Sequence, residues 1–165
     1  MQRAKDTFYI TLRDRIAALN PARTVLVRGV VRPAVLVEEN ELAVDFPPLN
    51  AFRLRWTSLE VDSHGLLPLV KMRCEIRYAT AGNSGNGSMD RGRMMAAMDA
   101  ELAEVLRQIP QRALKTDYAA FAGPQPERTN IFWGDVQFGV LAANGDQLER
   151  TATVDVYSYQ EAEER

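Results

Sequence analysis

The sequence is short of the residues that most often carry chemistry: it has a single cysteine and a single histidine. Cys74, standing alone, excludes an internal disulfide and suits folding in a reducing compartment. His64 has no second imidazole to share a metal with, so a histidine-based zinc centre lacks its ligands. Lysine is also scarce. Lys5, Lys71 and Lys115 are the only three among 20 basic residues, and the rest are arginine, whose planar, weakly hydrated fork pairs well in partly buried contacts. No apolar run approaches the length of a membrane-spanning helix. The opening MQRAKDTFYITLRDR is broken by charge and does not read as a secretory signal. With a net charge of −2, the chain is not built mainly to grip nucleic acid or an anionic bilayer. We therefore expect no membrane partner and no sequence-specific nucleic-acid binding.

What is present reads as one domain over 1–165, ordered over about 6–160, with a frayed acidic tail at 161–165. Phe8, Leu12, Ile16 and Leu19 fall on one face of a helix over 6–19, with Asp6 or Thr7 as its cap and Asn20-Pro21 as its stop. Two short strands follow at 24–28 and 34–39, divided by Gly29 and by Pro33 at a strand start or edge. Residues 52–61 and 67–80 form a long antiparallel hairpin around Asp62-Ser63-His64-Gly65. A break in alternation near Thr57-Ser58 predicts a bulge. The second of these strands is the clearest: Val70, Met72, Cys74, Ile76 and Tyr78 alternate with Lys71, Arg73, Glu75 and Arg77. Met95, Met98, Leu102, Val105 or Leu106, and Ile109 mark a second amphipathic helix over 89–109, which Pro110 ends. A helical turn is expected around 112–120. A terminal hairpin then turns at Asn144-Gly145, with Phe132, Val136, Phe138 and Val140 on one face and Ala152, Val154 and Val156 on the facing strand. The fold class is α+β: a mainly antiparallel sheet, an N-terminal helix and one long helix on one face, and a long β-hairpin arm.

No catalytic set is complete. In AGNSGNGSMDRGR, Gly82 and Gly87 have the spacing of a Walker loop, yet Ser88 and Met89 occupy its lysine and hydroxyl positions. A dinucleotide fingerprint begun at Gly85 places Asp90 where the third glycine belongs, against the pyrophosphate. Asp62, Ser63 and His64 are contiguous in a turn, whereas a triad converges from separate elements. Cys74 lies on a core face, where thiols are inert. Glu38, Glu39, Glu41 and Asp45 lack the spacing of a calcium loop. Met95 and Met98 belong to the helix stripe, leaving Met89 and Met94 as candidates for an adaptable contact surface. We expect no catalytic residue, no metal and no cofactor. The rival from another class is an anion- or nucleotide-binding enzyme domain using the Gly82–Gly87 loop.

The order of these elements resembles a known family. A helix, short strands, LVKMRCEIRYAT running through a polar loop into MDRGRMMAAMDAELAEVLRQIP, and the closing pair NIFWGDVQFGVL and RTATVDVYSYQE are similar to the tail-terminator and minor tail (tail-completion) proteins of long-tailed phages and prophages. The resemblance covers about residues 6–160. It implies a non-enzymatic structural protein that forms a hexameric ring on the tail tube, stops tube polymerisation and meets the head's connector. Its partners would be copies of itself, the tail tube protein and a head-completion protein. Its place would be the host cytoplasm during assembly and then the head–tail junction of the virion. A neck or head-completion connector is the neighbouring alternative. On this reading the subunit-interface candidates are Arg53, Arg55 and Trp56 on the hairpin arm, Gly82, Asn83, Gly85 and Gly87 in the loop, and Met89 and Met94. The loop is expected to be mobile in the free subunit and ordered by a neighbour.

Overall fold

The computed structural model describes residues 1–41, 48–82, 89–118 and 128–161. Helix α1 (Gln2–Leu19) leads into an antiparallel ribbon of β1 (Thr24–Val27) and β2 (Val30–Pro33), then β3 (Val35–Val37) and the single turn α2 (Glu38–Glu41). The long pair β4 (Phe52–Asp62) and β5 (Leu69–Thr80) precedes helix α3 (Asp90–Arg107). The remaining strands are β6 (Arg112–Leu114), β7 (Asn130–Trp133), β8 (Gln137–Phe138), β9 (Ala142–Asn144) and β10 (Gln147–Tyr159). The main sheet runs β3-β4-β5-β10-β7-β6, with β8 and β9 also on β10. It is antiparallel except where Val35, Leu36 and Val37 lie parallel to Phe52, Arg53 and Leu54. The chain is an α+β fold.

The sheet is held by its two longest strands. β5 and β10 pair without interruption from Leu69↔Tyr159 to Thr80↔Leu148. Strand alternation then sends Val70, Met72, Cys74, Ile76 and Tyr78 to one face with Ala152, Val154 and Val156, and all of these are buried. The helices cover this face. α1 contributes Ala4, Phe8, Leu12 and Ile16, and α3 contributes Met95, Met98, Leu102, Val105 and Leu106 to the same core. Phe8 sits edge-on between Trp56 and Trp133, at 5.9 and 5.6 Å between ring centres. Such edge contacts add about 0.5–1.5 kcal/mol to what burial supplies.

The end of α3 shows how its orphan carbonyls are met. The Arg15 guanidinium donates to the Val105 oxygen at 2.9 Å and the Pro110 oxygen at 3.0 Å. The Trp133 indole donates to the Leu106 oxygen at 2.9 Å. A cation at a helix C-terminus also suits the helix dipole. Arg15 lies 5.1 Å over the Trp133 ring, which ties α1, α3 and β7 at one point.

Several boundaries differ from expectation. α1 starts at Gln2, not Asp6, and has no side-chain cap; Thr7 instead bonds back to the Arg3 carbonyl. Residues 24–33 form a ribbon in which Arg28 and Gly29 turn at φ of 49° and 82°, and Pro33 takes the edge position of its two expected places, ending β2 in a two-stranded sheet. The segment beginning at Arg112 is a strand, not a helical turn, because it pairs with β7 from Arg112↔Phe132 to Leu114↔Asn130. Ile109 is exposed, since α3 ends at Arg107. The strand expected through 132–140 is two strands: Ile131 and Trp133 enter the core, while Phe132 and Val140 do not. The Trp56/Ser58 bulge and the Asn144-Gly145 turn are as the sequence indicates, Gly145 having φ of 57°.

Leu102 is fully buried between α3 and the sheet, so Leu102→Ala should cost about 2–5 kcal/mol in a urea titration. Leu66→Ser, at a fully exposed position, should stay within about 0.5 kcal/mol of the parent.

Candidate functional site

The interface candidates on the arm face different ways. Trp56 is half-buried, edge-on to Phe8, with the Lys5 amine 5.6 Å from its ring centre. It joins the arm to α1. Arg53 lies on the opposite face of the sheet beside β5, across from Arg77. Both guanidiniums reach the Glu38 carboxylate, Arg53 at 3.6 Å and Arg77 at 3.9 Å. Burial, partly offset by Glu38, lowers the Arg53 pKa from its ordinary value. Arg55 is exposed and stands opposite Glu75. The two arginines thus have different jobs: Arg53 sits within a charge cluster of the fold, and Arg55 is presented to solvent.

Gly82 sits at the exit of β5 with φ of 67°, its N–H donating to the Thr80 hydroxyl at 3.1 Å. A Cβ there would come within 2.8 Å of the Arg91 backbone nitrogen, so the glycine lets strand and helix approach. Asn83, Gly85 and Gly87, with Ser88, lie outside the described residues. Met89 is exposed at the start of α3, and Met94 is half-buried on its flank. The candidates therefore do not gather at one spot among the described residues.

The other chemical candidates have plain surroundings. His64 is exposed, its ring 2.7 Å from Asp62. The His64 backbone N–H, and then its ring, hold the Asp62 carboxyl below its usual pKa. Cys74 is buried, and desolvation pushes its thiol pKa well up, away from the reactive thiolate. Among the described residues no group of three potential metal-ligating side chains converges, and no helix is long and apolar enough to cross a membrane.

Alternation in β5 and β10 builds a second surface, on the side of the sheet away from the helices. Opposite the core, Asp155 accepts from Arg73 at 3.0 Å and lies 3.1 Å from Lys71. Bonding to Arg73 is the main reason its carboxyl pKa is lowered. Alongside, Phe132 stacks on Tyr157 with ring centres 5.2 Å apart and leans on Tyr159 at 6.2 Å. A shallow groove of about 480 Å³ opens beside this stack between Arg112, Thr129 and Asn130. The signal was available in Tyr157 and Tyr159, two aromatics in phase with Asp155 on the solvated side of β10.

Among the described residues two β surfaces are open. Beyond the bulge, Thr57–Asp62 of β4 is exposed, including Leu59 and Val61, and Leu66 and Leu67 at the arm's end are exposed as well. The β1–β2 ribbon exposes Leu26, Val30 and Val31. Apolar residues gathered on projecting strands mark contact sites more than scattered ones do. The strands expected at 24–28 and 34–39 leave Val30 and Val31 between them, although Arg28-Gly29 between two valine-rich runs was the signal for a tight turn.

No family model matches this chain, and no curated protein matches it either.

Two substitutions separate structural from presented arginine. Arg53→Ala should destabilise the fold by about 1–3 kcal/mol, because it removes a half-buried partner of Glu38. Arg55→Ala should change stability by no more than about 0.5 kcal/mol; chemical denaturation reads both. Asp155 makes a pH prediction. Its depressed pKa means its contribution is complete above the ordinary carboxylate range near pH 4 and is lost as pH falls through the lower folded value. Asp155→Asn should therefore lower Tm at neutral pH and flatten the loss of Tm below about pH 4.

Proposed function

We propose that this chain is a non-enzymatic assembly protein of the phage tail, a ring-forming cap that stops tube growth and joins tail to head. The observation that carries the reading is the β4–β5 arm. Past the bulge, β4 and the turn beyond it leave Leu59, Val61, Leu66 and Leu67 exposed. A free-standing enzyme has little use for such an arm, whereas a subunit awaiting neighbours does. The order of elements supports the same reading: a long strand pair, a polar loop, an amphipathic helix and a closing hairpin with Tyr157 and Tyr159. A ring requires that one patch of each copy meet a different patch of the next, and the chain offers two distinct open β surfaces.

The test is tube termination. Added at low ratio to polymerising tail-tube subunits, the chain should shorten the tubes and leave a ring-shaped density at one end in electron micrographs. An unchanged length distribution and bare ends would overturn the proposal. Immobilised chain should also retain tubes; retention of portal protein alone would reassign it to the neck of the particle.

A further inference from the structure

The main sheet ends in an unpaired edge on each side. Among the described residues β6 pairs with β7 alone, and β3 covers β4 at Phe52, Arg53 and Leu54 but leaves Arg55–Asp62 without a neighbouring strand. Unpaired edges invite another strand. The two edges are stepped in opposite senses: β3 lies at the Phe52 end of β4, whereas β6 stands level with its Asp62 end. One rung crosses the sheet from edge to edge. Glu60 pairs with Lys71, Lys71 with Tyr157, Tyr157 with Phe132, and Phe132 with Arg112. Cross-strand partners share a face, here the one away from the helices. The rung thus begins in a carboxylate and ends in a guanidinium. Both are exposed, and among the described residues neither makes a side-chain hydrogen bond or an ion pair. Lys71, beside Glu60, is committed to Asp155 at 3.1 Å.

The backbone alternates to match. Trp133 N–H donates to the Gln111 oxygen at 3.2 Å and Lys115 N–H to the Thr129 oxygen at 3.0 Å. In an antiparallel ladder the residues between, Arg112 and Leu114, turn their polar groups to the open side; the Leu114 oxygen there accepts from the Thr116 hydroxyl at 3.3 Å. On β4 the Phe52 N–H points to the β3 side, donating to the Ala34 oxygen. The one-residue bulge shifts the alternation, so beyond it Leu59 and Val61 turn outward. Four antiparallel steps separate β4 from β6, so the two run in the same direction. A second copy with its helices on the same side of the sheet therefore meets this edge in parallel. In a parallel pair a residue bonds to the two that flank its level on the next strand. Arg112 set level with Glu60 would bond through its N–H and C=O to Leu59 and Val61.

We infer that β6 of one copy adds in parallel to the open edge of β4 in the next copy, with Arg112 level with Glu60. The two charges then pair on the outer face of a sheet that continues from subunit to subunit. On the helix side Ala113 comes beside Val61, which is 51% exposed in the single subunit. Leu114 comes level with Asp62, whose carboxyl is already held by His64. The contact joins two different edges, so it repeats head to tail instead of closing a symmetric pair. Because Glu60 and Arg112 end the same rung, each addition makes no step along the strands, as a closed ring requires. The inference rests on the ring reading only for that closure.

The test uses two variants of the full chain, Leu114→Cys and Asp62→Cys, each keeping the buried Cys74, mixed at high concentration under mild oxidation. Neighbouring strands lie about 4.8 Å apart, within disulfide reach. β5, β10 and β7 separate the two positions in one subunit, so a link joins two copies. The mixture should give a crosslinked pair of one of each variant, well above the yield of either variant alone. Arg112→Glu in the first variant should cut that yield at least about fivefold, and adding Glu60→Arg to the second should restore it. No crosslink above the single-variant yield, Leu114→Cys linking to itself equally well, or a yield indifferent to both charge reversals would overturn the inference. Circular dichroism of each variant identifies any that fails to fold, and Arg112→Cys with Glu60→Cys replaces the pair in that event. Tube termination is scored on the unmodified chain. Crosslinks without termination would leave the edge contact standing and remove the tail-cap reading; termination without crosslinks would do the reverse.

Discussion

The pairing of β5 with β10 is the constraint on which the rest depends. It runs the full length of β5, from Leu69 to Thr80, with no bulge. An unbroken register fixes the face of every side chain on both strands, and a slip of one residue would turn the core outward. Given that register, one face must be covered, and α1 and α3 cover it with Phe8, Leu12, Ile16, Met98 and Leu102. The other face must settle its charge, and Asp155 does so between Lys71 and Arg73. The helices, the ion pairs and the Phe132–Tyr157 stack are consequences of one ladder. β4 obeys it only as far as Trp56; past the bulge its aliphatic side chains, Leu59 and Val61, are exposed.

How much of this was legible in the sequence depended on whether a segment's pattern was local. β5 was plain because alternation of apolar and charged residues is uninterrupted from Val70 to Tyr78. The stripe of α3 was plain for the same reason, up to its final member. Ile109 misled because periodicity continues one step after the helix has stopped. β6 was unreadable, since Arg112-Ala113-Leu114 has no strand propensity of its own; its conformation comes from β7, far along the chain. β7 was read in the wrong phase. Gly134 interrupts the strand, its N–H donating to the Asp155 carbonyl, so the parity of Phe138 does not carry back to Phe132. Trp133, which the core uses, was therefore missed.

The candidate contact residues show the same limit. Arginine and tryptophan are favoured anchors, but type alone does not say whether a side chain is already engaged. Trp56 is held between Phe8 and Lys5, and Arg53 leans on Glu38, so much of their binding capacity is used within the subunit. Arg55 keeps its exposure. The aliphatic residues of the ribbon and the arm draw no notice in a sequence, because valine and leucine in strands are expected to be inside. Their significance comes from the absence of anything on top of them.

The base of the ribbon is built differently from its end. Glu101 of α3 receives Arg23 and Asn20, and Arg23 also donates to the Asn50 carbonyl at 3.1 Å. The Arg23 carbonyl in turn accepts the Ala34 N–H at 3.0 Å, closing the ribbon's base. The ribbon is thus a cantilever, clamped where it leaves the body and unsupported at Arg28-Gly29. A force applied at the free end is borne by a buried ion pair and passed into the middle of α3. A loop of the same length would absorb it. Whatever seats on that end is held against the long helix of the subunit, and the orientation it takes is inherited from the core.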